Sequence, residues 1–339
     1  MGSSPNSGNT ESSDQQLMVC MEVWGGNAAT DKRVETLGLK SWVYNRPFHQ
    51  DSRGGDVYYL SNCATGRISR MLVADVSGHG SEVGAVAAKL RMLMRKHVNR
   101  IEQRDFMMEL NREFSNLRHV GGFATAVAGT YFAPTGRLTV TNAGHPPPLI
   151  RRASSSTWKS LMDANTPGLS DLPLGILEET DYGERKLNMR AGDLLLFYSD
   201  SLIECKNSEG DLLGVNGLLQ VLDELGSMSA ETLVAQLLKS LAELFPGNLT
   251  EDDVTIVLMQ STSHEAGLPF RNRWRAPWLF LKGCLRDVLN GQSLPWPEFT
   301  RTNMGGALLD RWNRPGRGHD SQAASPLESS TEKQTGQSR

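Results

Sequence analysis

The sequence predicts an α+β fold whose sheets are antiparallel. Three observations carry that expectation. Short runs rich in β-branched and aromatic residues occur in groups, each run bounded by Gly, Asn or Pro. Segments with helical spacing of apolar residues come in pairs that separate those groups. Strands do not alternate one by one with helices, as a doubly wound parallel sheet requires.

The first group of strands is 41–44, 57–62 and 68–74. A helix follows over 81–98, where Val83, Val86, Ala87, Leu90, Leu93 and Met94 recur at helical spacing. A second helix covers 106–117. Strands return at 125–132 and 137–141, joined by Ala133-Pro134-Thr135-Gly136, in which Pro presets φ and Gly accepts a positive φ. Two more runs, 184–189 and 194–198, are separated by the Ala191-Gly192 turn. A second helix pair is expected at 215–224 and 230–244, and a last strand at 254–259.

The chain of 339 residues has room for one large domain or two ordinary ones. Its formal net charge of −3 argues against a dominant nucleic-acid footprint. The four cysteines, Cys20, Cys63, Cys205 and Cys284, form no C-x-x-C pair, which argues against a zinc site or a disulfide scaffold. No apolar run approaches the ~20 residues of a membrane-spanning helix, and the first residues lack a secretory apolar stretch. A cytoplasmic protein is the expectation. Residues 1–34 read as a disordered leader and entry segment, and 35–260 as the folded domain. Residues 261–313 read as a basic extension, and 314–339 as a disordered tail rich in Ser, Gln and Gly. The extension holds Trp274, Trp278, Trp296 and Trp312. Within it, 268–289 mixes Arg and Lys with Trp and Phe, a composition suited to an anionic membrane surface. Packing against the domain or a partner is the favoured reading, because Trp is highly buried on average.

The chemistry lies where carboxylates meet strand ends. Asp56 opens a strand after Gly54-Gly55. Asp75 closes 71–75 and leads into Val76-Ser77-Gly78-His79-Gly80. Asp200 closes 194–200, and Asp252-Asp253 open the last strand. For any one of them, a turn former or a helix N-cap is the ordinary role. Several carboxylates at the rim of a buried sheet need compensation, and hard divalent cations with oxygen ligands supply it. His79 and His145 sit in Gly-flanked loops and read as loop architecture. Arg53 reads as an exposed charge rather than a phosphate contact. None of the cysteines begins a Cys-x5-Arg loop.

Six strings occur in order. They are Gly54-Gly55-Asp56; Asp75-Val76-Ser77-Gly78-His79-Gly80; Asn142-Ala143-Gly144-His145-Pro146-Pro147-Pro148; Pro173-Leu174-Gly175; Gly192 through Asp200; and Asp252-Asp253-Val254-Thr255. Over about residues 35–260 the series resembles the bacterial, SpoIIE/RsbU-like branch of the metal-dependent (PPM, protein phosphatase 2C-like) serine/threonine phosphatases. The resemblance implies two antiparallel sheets in a sandwich flanked by helix pairs. It implies two divalent cations, Mn²⁺ or Mg²⁺, at one end. Asp75 would bridge both, with the Val76 carbonyl also a ligand. Asp56 would bind directly or through water, and Asp200 and Asp252 would complete the second site, Asp252 being preferred to Asp253. These residues would act through a water held by the metals, whose pKa the cations lower. The implied substrate is a phosphoprotein in a bacterial partner-switching circuit, such as a phosphorylated anti-sigma-factor antagonist, with no covalent enzyme intermediate.

Two positions depart from the family pattern. Tyr59 stands where a second Asp usually follows the first motif, and Ser201 stands where Gly usually follows the third ligand. They motivate the competing reading, a catalytically weak phosphatase fold that acts as a binding module.

Overall fold

The computed structural model describes residues 15–18, 22–48, 53–63, 66–77, 81–98, 102–116, 123–162, 172–207, 209–246, 249 and 251–262. In chain order the elements begin with β1 (Gln15–Leu17), β2 (Val23–Gly26), β3 (Thr30–Thr36) and β4 (Leu39–Arg46). β5 (Asp56–Asn62) and β6 (Ile68–Val76) precede the helices α1 (Ser81–Lys96) and α2 (Gln103–Asn116). Then come β7 (Ala124–Phe132), β8 (Arg137–Ala143), β9 (Leu149–Arg151), β10 (Trp158–Ser160), β11 (Arg185–Asn188) and β12 (Leu194–Tyr198). The helices α3 (Gly214–Glu224) and α4 (Ala230–Leu244) lead to β13 (Val254–Ser261).

The strands form two sheets. One has the order β1-β3-β4-β13-β12-β9-β10, the other β11-β8-β7-β6-β5-β2. All pairings are antiparallel except β1 with β3. The α+β class and antiparallel sheets are therefore as expected. Three apolar clusters define four layers. Tyr58, Leu60, Met71, Val73 and Val127 of one sheet meet Val43, Leu195, Phe197 and Val257 of the other. The outer face of the first sheet, with Val57, Tyr59, Leu72 and Ala74, packs on Leu90, Met94, Phe106 and Leu110 of α1 and α2. The outer face of the second, with Leu194, Leu196, Ile256 and Leu258, packs on Leu218, Leu222, Leu233 and Leu237 of α3 and α4. Strands buried on both faces explain why these runs are mostly apolar rather than alternating.

One buried cation ties the helix pair to its sheet. The Arg70 guanidinium donates from Nε to Thr130 Oγ1 at 2.9 Å and from Nη1 to the His97 carbonyl at 2.8 Å. It also lies 4.5 Å from the Phe106 ring centroid. Its contact with the carbonyl at the end of α1 is one a positive charge favours there.

The expected domain start at residue 35 is corrected: β1, β2 and β3 precede it, and 35 falls inside β3. These strands carry little apolar signal. β3 reads TDKRVET and buries only Val34. β2 contains Gly25, where a Cβ would run into the Tyr58 carbonyl, so the glycine marks close strand approach rather than a turn. The Ala191-Gly192 turn does not close a hairpin. It carries the chain from β11 in one sheet to β12 in the other, with Asp193 accepting from the Arg190 and Ala153 amides and from Arg152. Residues beyond Thr262, hence nearly all of the expected extension and tail and all of 268–289, lie outside the described residues. Among the described residues no helix is long and apolar enough to cross a membrane.

Candidate metal centre

Strand parity aims the carboxylates. Successive side chains point to opposite faces, so Asp56 shares the inter-sheet face with Tyr58 and Leu60, and Asp75 shares it with Val73 and Met71. β5 and β6 pair so that Asp56 stands directly opposite Asp75. Like charges in register are unfavourable, with side-chain roots only about 5 Å apart. The other sheet contributes at the same end. β12 stops at Tyr198, and Asp200 begins a 3₁₀ turn, Asp200–Leu202. Asp252 and Asp253 immediately precede β13, which pairs with β12.

Burial and mutual repulsion raise the carboxyls at this end. Burial pushes the Asp56 carboxyl well above the usual carboxylate range. Thr255 and Ser199 hydroxyls pull it back, while Asp75 and Asp253 push it further. Asp75 is pushed up to about 6, first by burial, then by the charges of Asp200, Asp252, Asp253 and Glu204. Asp200 is raised by burial and by Glu204 and Asp252. Asp252 is exposed at the rim and faces both Asp75 and Asp200 electrostatically.

Two observations test whether a hard cation fits. Asp56 is 3% exposed, yet its Oδ2 has no hydrogen-bond partner. Such an oxygen is costly to bury unless something positive meets it. Above Gly55, the place a Cβ would take lies 3.4 Å from the Val76 carbonyl oxygen, 3.4 Å from Asp253 Oδ2 and 3.6 Å from Asp75 Oδ1. The Val76 carbonyl and the Asp75 carboxylate thus open onto one space that only glycine leaves free. The donor set is all oxygen, the preference of Mg²⁺ and Mn²⁺. Among the described residues no three such side chains close on a single point. They stand around one end of the sandwich. The donors fit divalent cations in kind.

Asp56, Asp75, Val76, Asp200 and Asp252, singled out from the sequence, are thus brought to one end of the sandwich. Glu204, one turn beyond Asp200 and with its amide on the Asp200 carbonyl at 2.9 Å, was not singled out. Its segment carries no periodic signal that would have shown it. His79 lies outside the described residues. His145 is buried, with Nε2 donating to the Tyr198 carbonyl at 3.0 Å and Nδ1 taking the Thr125 hydroxyl at 2.9 Å. It is loop architecture, as expected. Arg53 is exposed near Gly84 of α1.

Of the two departures from the family pattern, Tyr59 falls away from the carboxylates, whereas Ser201 adjoins Asp200 and its backbone amide hydrogen-bonds that carboxylate. Tyr59 has the opposite parity to Asp56 and faces α1, where its hydroxyl donates to the Ala87 carbonyl at 2.6 Å. Burial raises its phenol to about 12. Tyr59→Phe is expected to lower stability by about 1 kcal/mol, read by urea unfolding, and to leave divalent-cation affinity unchanged. Ser201 sits in the 3₁₀ turn, a right-handed conformation open to any residue. Its hydroxyl pairs with Ser199 at 3.0 Å.

Comparison with known proteins agrees with this architecture. A family model described as Stage II sporulation protein E (SpoIIE) matches residues 66–262, more than half of the chain. Phosphoserine phosphatase RsbU of Bacillus subtilis (strain 168) is 27% identical over 192 residues, 55% of this chain and 54% of RsbU. The chain therefore spans about half the length of this curated relative. The RsbU and RsbW domains of a Mycobacterium tuberculosis protein superpose with a TM-score of 0.55 at 23% identity, covering 70% of this chain and 63% of that one. RsbX in complex with magnesium superposes with a TM-score of 0.52 at 17% identity, covering 69% of this chain and 100% of that one. At these identities the two structures speak for the fold.

Proposed function

The chain belongs to the SpoIIE family, and on that premise we propose that it is a metal-dependent protein phosphatase. It hydrolyses phosphoserine or phosphothreonine on a protein substrate, using two divalent cations, Mn²⁺ or Mg²⁺. The observation that carries the reading is the convergence of Asp56, Asp75, Asp200 and Asp252 from two sheets on one end of the sandwich, with Asp56 Oδ2 buried and unpartnered. Asp75, flanked by the other carboxylates, would hold the cations together with the Val76 carbonyl. Asp56, Asp200 and Asp252 would supply the remaining carboxylate ligands. When bound, the cations activate water and offset the charge developing on the phosphoryl oxygens. The chain's own part is to hold ligands on rigid strand ends, where the geometry survives turnover. Gly55 leaves the space over Asp75 open.

The RsbU name, a phosphoserine phosphatase, and the magnesium held by RsbX support the chemistry. The pairing of RsbU and RsbW domains in one relative supports a partner-switching role, with a phosphorylated anti-sigma-factor antagonist as substrate. The test is hydrolysis of p-nitrophenyl phosphate and of a phosphoserine protein with Mn²⁺, Mg²⁺ or EDTA. Metal-dependent turnover lost in Asp200→Asn is the expected result. Folded protein that neither turns over nor binds Mn²⁺ would sink the reading in favour of a binding module.

A further inference from the structure

Among adjacent acidic residues in an extended segment, only one can point between the sheets. Here that residue is Asp253, which is 7% exposed, whereas Asp252 lies at the open rim. Both oxygens of Asp253 are already engaged. Oδ1 accepts the Phe48 amide at 2.5 Å, and Oδ2 accepts the amides of Gly55 and of Asp56, the latter at 3.1 Å. Phe48 follows β4, Gly55 and Asp56 open β5, and Asp253 enters β13. One side chain therefore fastens strands of both sheets at the end where the carboxylates meet.

The neighbouring loop is built around it. A Cβ on Gly54 would come to 2.5 Å from Asp253 Cγ and Oδ1, so only glycine lets the loop close on this carboxylate. Asn27 steadies the same loop, its carbonyl accepting the Gly54 amide at 3.0 Å and its Nδ2 donating to the Gly54 carbonyl at 2.9 Å.

We infer that Asp253 is a positioning residue rather than a cation ligand: it clasps the Asp56 backbone across the two sheets, and so sets the spacing between the carboxylates of β5–β6 and those beside β12–β13. The inference rests on the proposed metal-dependent reading. It also gives a physical reason for the order of the pair, since exchanging the two roles would put the cation ligand inside the clasp. A carboxylate accepting backbone amides from two elements is held in one orientation. An amide in its place offers only one oxygen and turns NH₂ toward a backbone N–H.

The test uses the full chain. Thermal unfolding in EDTA and Mn²⁺ titration by calorimetry are compared for the wild type, Asp252→Asn, Asp253→Asn and Gly54→Ala. For Asp253→Asn the metal-free midpoint should fall. Mn²⁺ affinity should drop about 10–100-fold, the range for residues that orient ligands, with the number of Mn²⁺ bound at saturation unchanged. Gly54→Ala should behave the same way. Asp252→Asn, which removes a charge that repels Asp75 and Asp200, should not lower its metal-free midpoint and should lose a bound Mn²⁺. Loss of a bound Mn²⁺ in Asp253→Asn with an unchanged metal-free midpoint would overturn the inference, as would unchanged Mn²⁺ affinity. A wild type that binds no Mn²⁺ would instead overturn the metal-dependent reading itself. If Asp253→Asn does not fold, amide exchange of the metal-free wild type decides. Protected Gly55 and Asp56 amides are expected, and exchange at the rate of an open loop refutes the clasp.

Discussion

Asp75→Asn is expected to make the metal-free protein more stable while reducing metal-dependent phosphatase turnover by more than about a hundredfold. The two effects share one cause. In the metal-free protein, burial and the charges of Asp200, Asp252, Asp253 and Glu204 push the Asp75 carboxyl from 3.8 up to about 6. A carboxyl whose native pKa is raised binds its proton more tightly folded than unfolded. Its contribution to stability is full below the unfolded value and is lost as pH rises through the native one. Near pH 7 the ionised group is therefore a cost of up to about 3 kcal/mol, and partial access to water lowers that to about 1–2 kcal/mol. Asparagine removes the charge and the cost. Its metal-free melting midpoint should rise, and the slope of stability between pH 3.8 and 6 due to this group should vanish. Adding Mn²⁺ should reverse the ranking, because the wild type gains binding free energy that the variant forgoes. Melting curves in EDTA and in Mn²⁺ at pH 7.5 make the comparison. An Asp75→Asn protein less stable than wild type in EDTA would show that the carboxylates do not repel as inferred.

That conflict also explains which parts of the protein were legible in the sequence. β5, β6, β7, β12 and β13 are buried on both faces, and a continuous apolar run needs no context to be read as a strand. The helices show because one stripe meets a sheet. β1, β9 and β10 are three residues each, too short for any period to register. β2 and β3 carry glycines and charges whose burial depends on partners distant in the chain. The carboxylates stood out because acid following an apolar strand is conspicuous. What they do relative to one another depends on register. Nothing local reveals that Asp56 faces Asp75, that Glu204 turns back toward Asp200, or that Gly54 is glycine because of Asp253.

His145→Ala should cost about 2–4 kcal/mol at pH 7.5 and also weaken cation binding. The imidazole bridges the sheets at the same end. It donates from Nε2 to the carbonyl of Tyr198, two residues before Asp200. Its Nδ1 accepts from the hydroxyl of Thr125, the register partner of Asp75 on β7. Asn142 holds the loop in place through the His145 amide at 2.8 Å and its carbonyl at 2.6 Å. A carbonyl acceptor fixes the neutral tautomer with hydrogen on Nε2, and a second proton on Nδ1 would face a hydroxyl already donating. Burial accordingly pushes this imidazole down to about 4 from 6.5, against the pull of the Tyr198 carbonyl. A depressed native pKa gives stability that is complete above pH 6.5 and is lost as pH falls through 4, at most about 3 kcal/mol. Over much of that window the raised carboxyls of Asp75, Asp56 and Asp200 act in the opposite direction and offset the imidazole in the metal-free wild type. Removing the imidazole should uncover their contribution. In EDTA, His145→Ala should therefore become more stable from pH 7 to pH 5, though from a lower start, and His145→Ala combined with Asp75→Asn should gain less, keeping only the share of Asp56 and Asp200. Urea unfolding at the two pH values decides. A wild type that loses several kcal/mol over this range, with a His145→Ala slope that matches it, would place the acid sensitivity elsewhere in the fold.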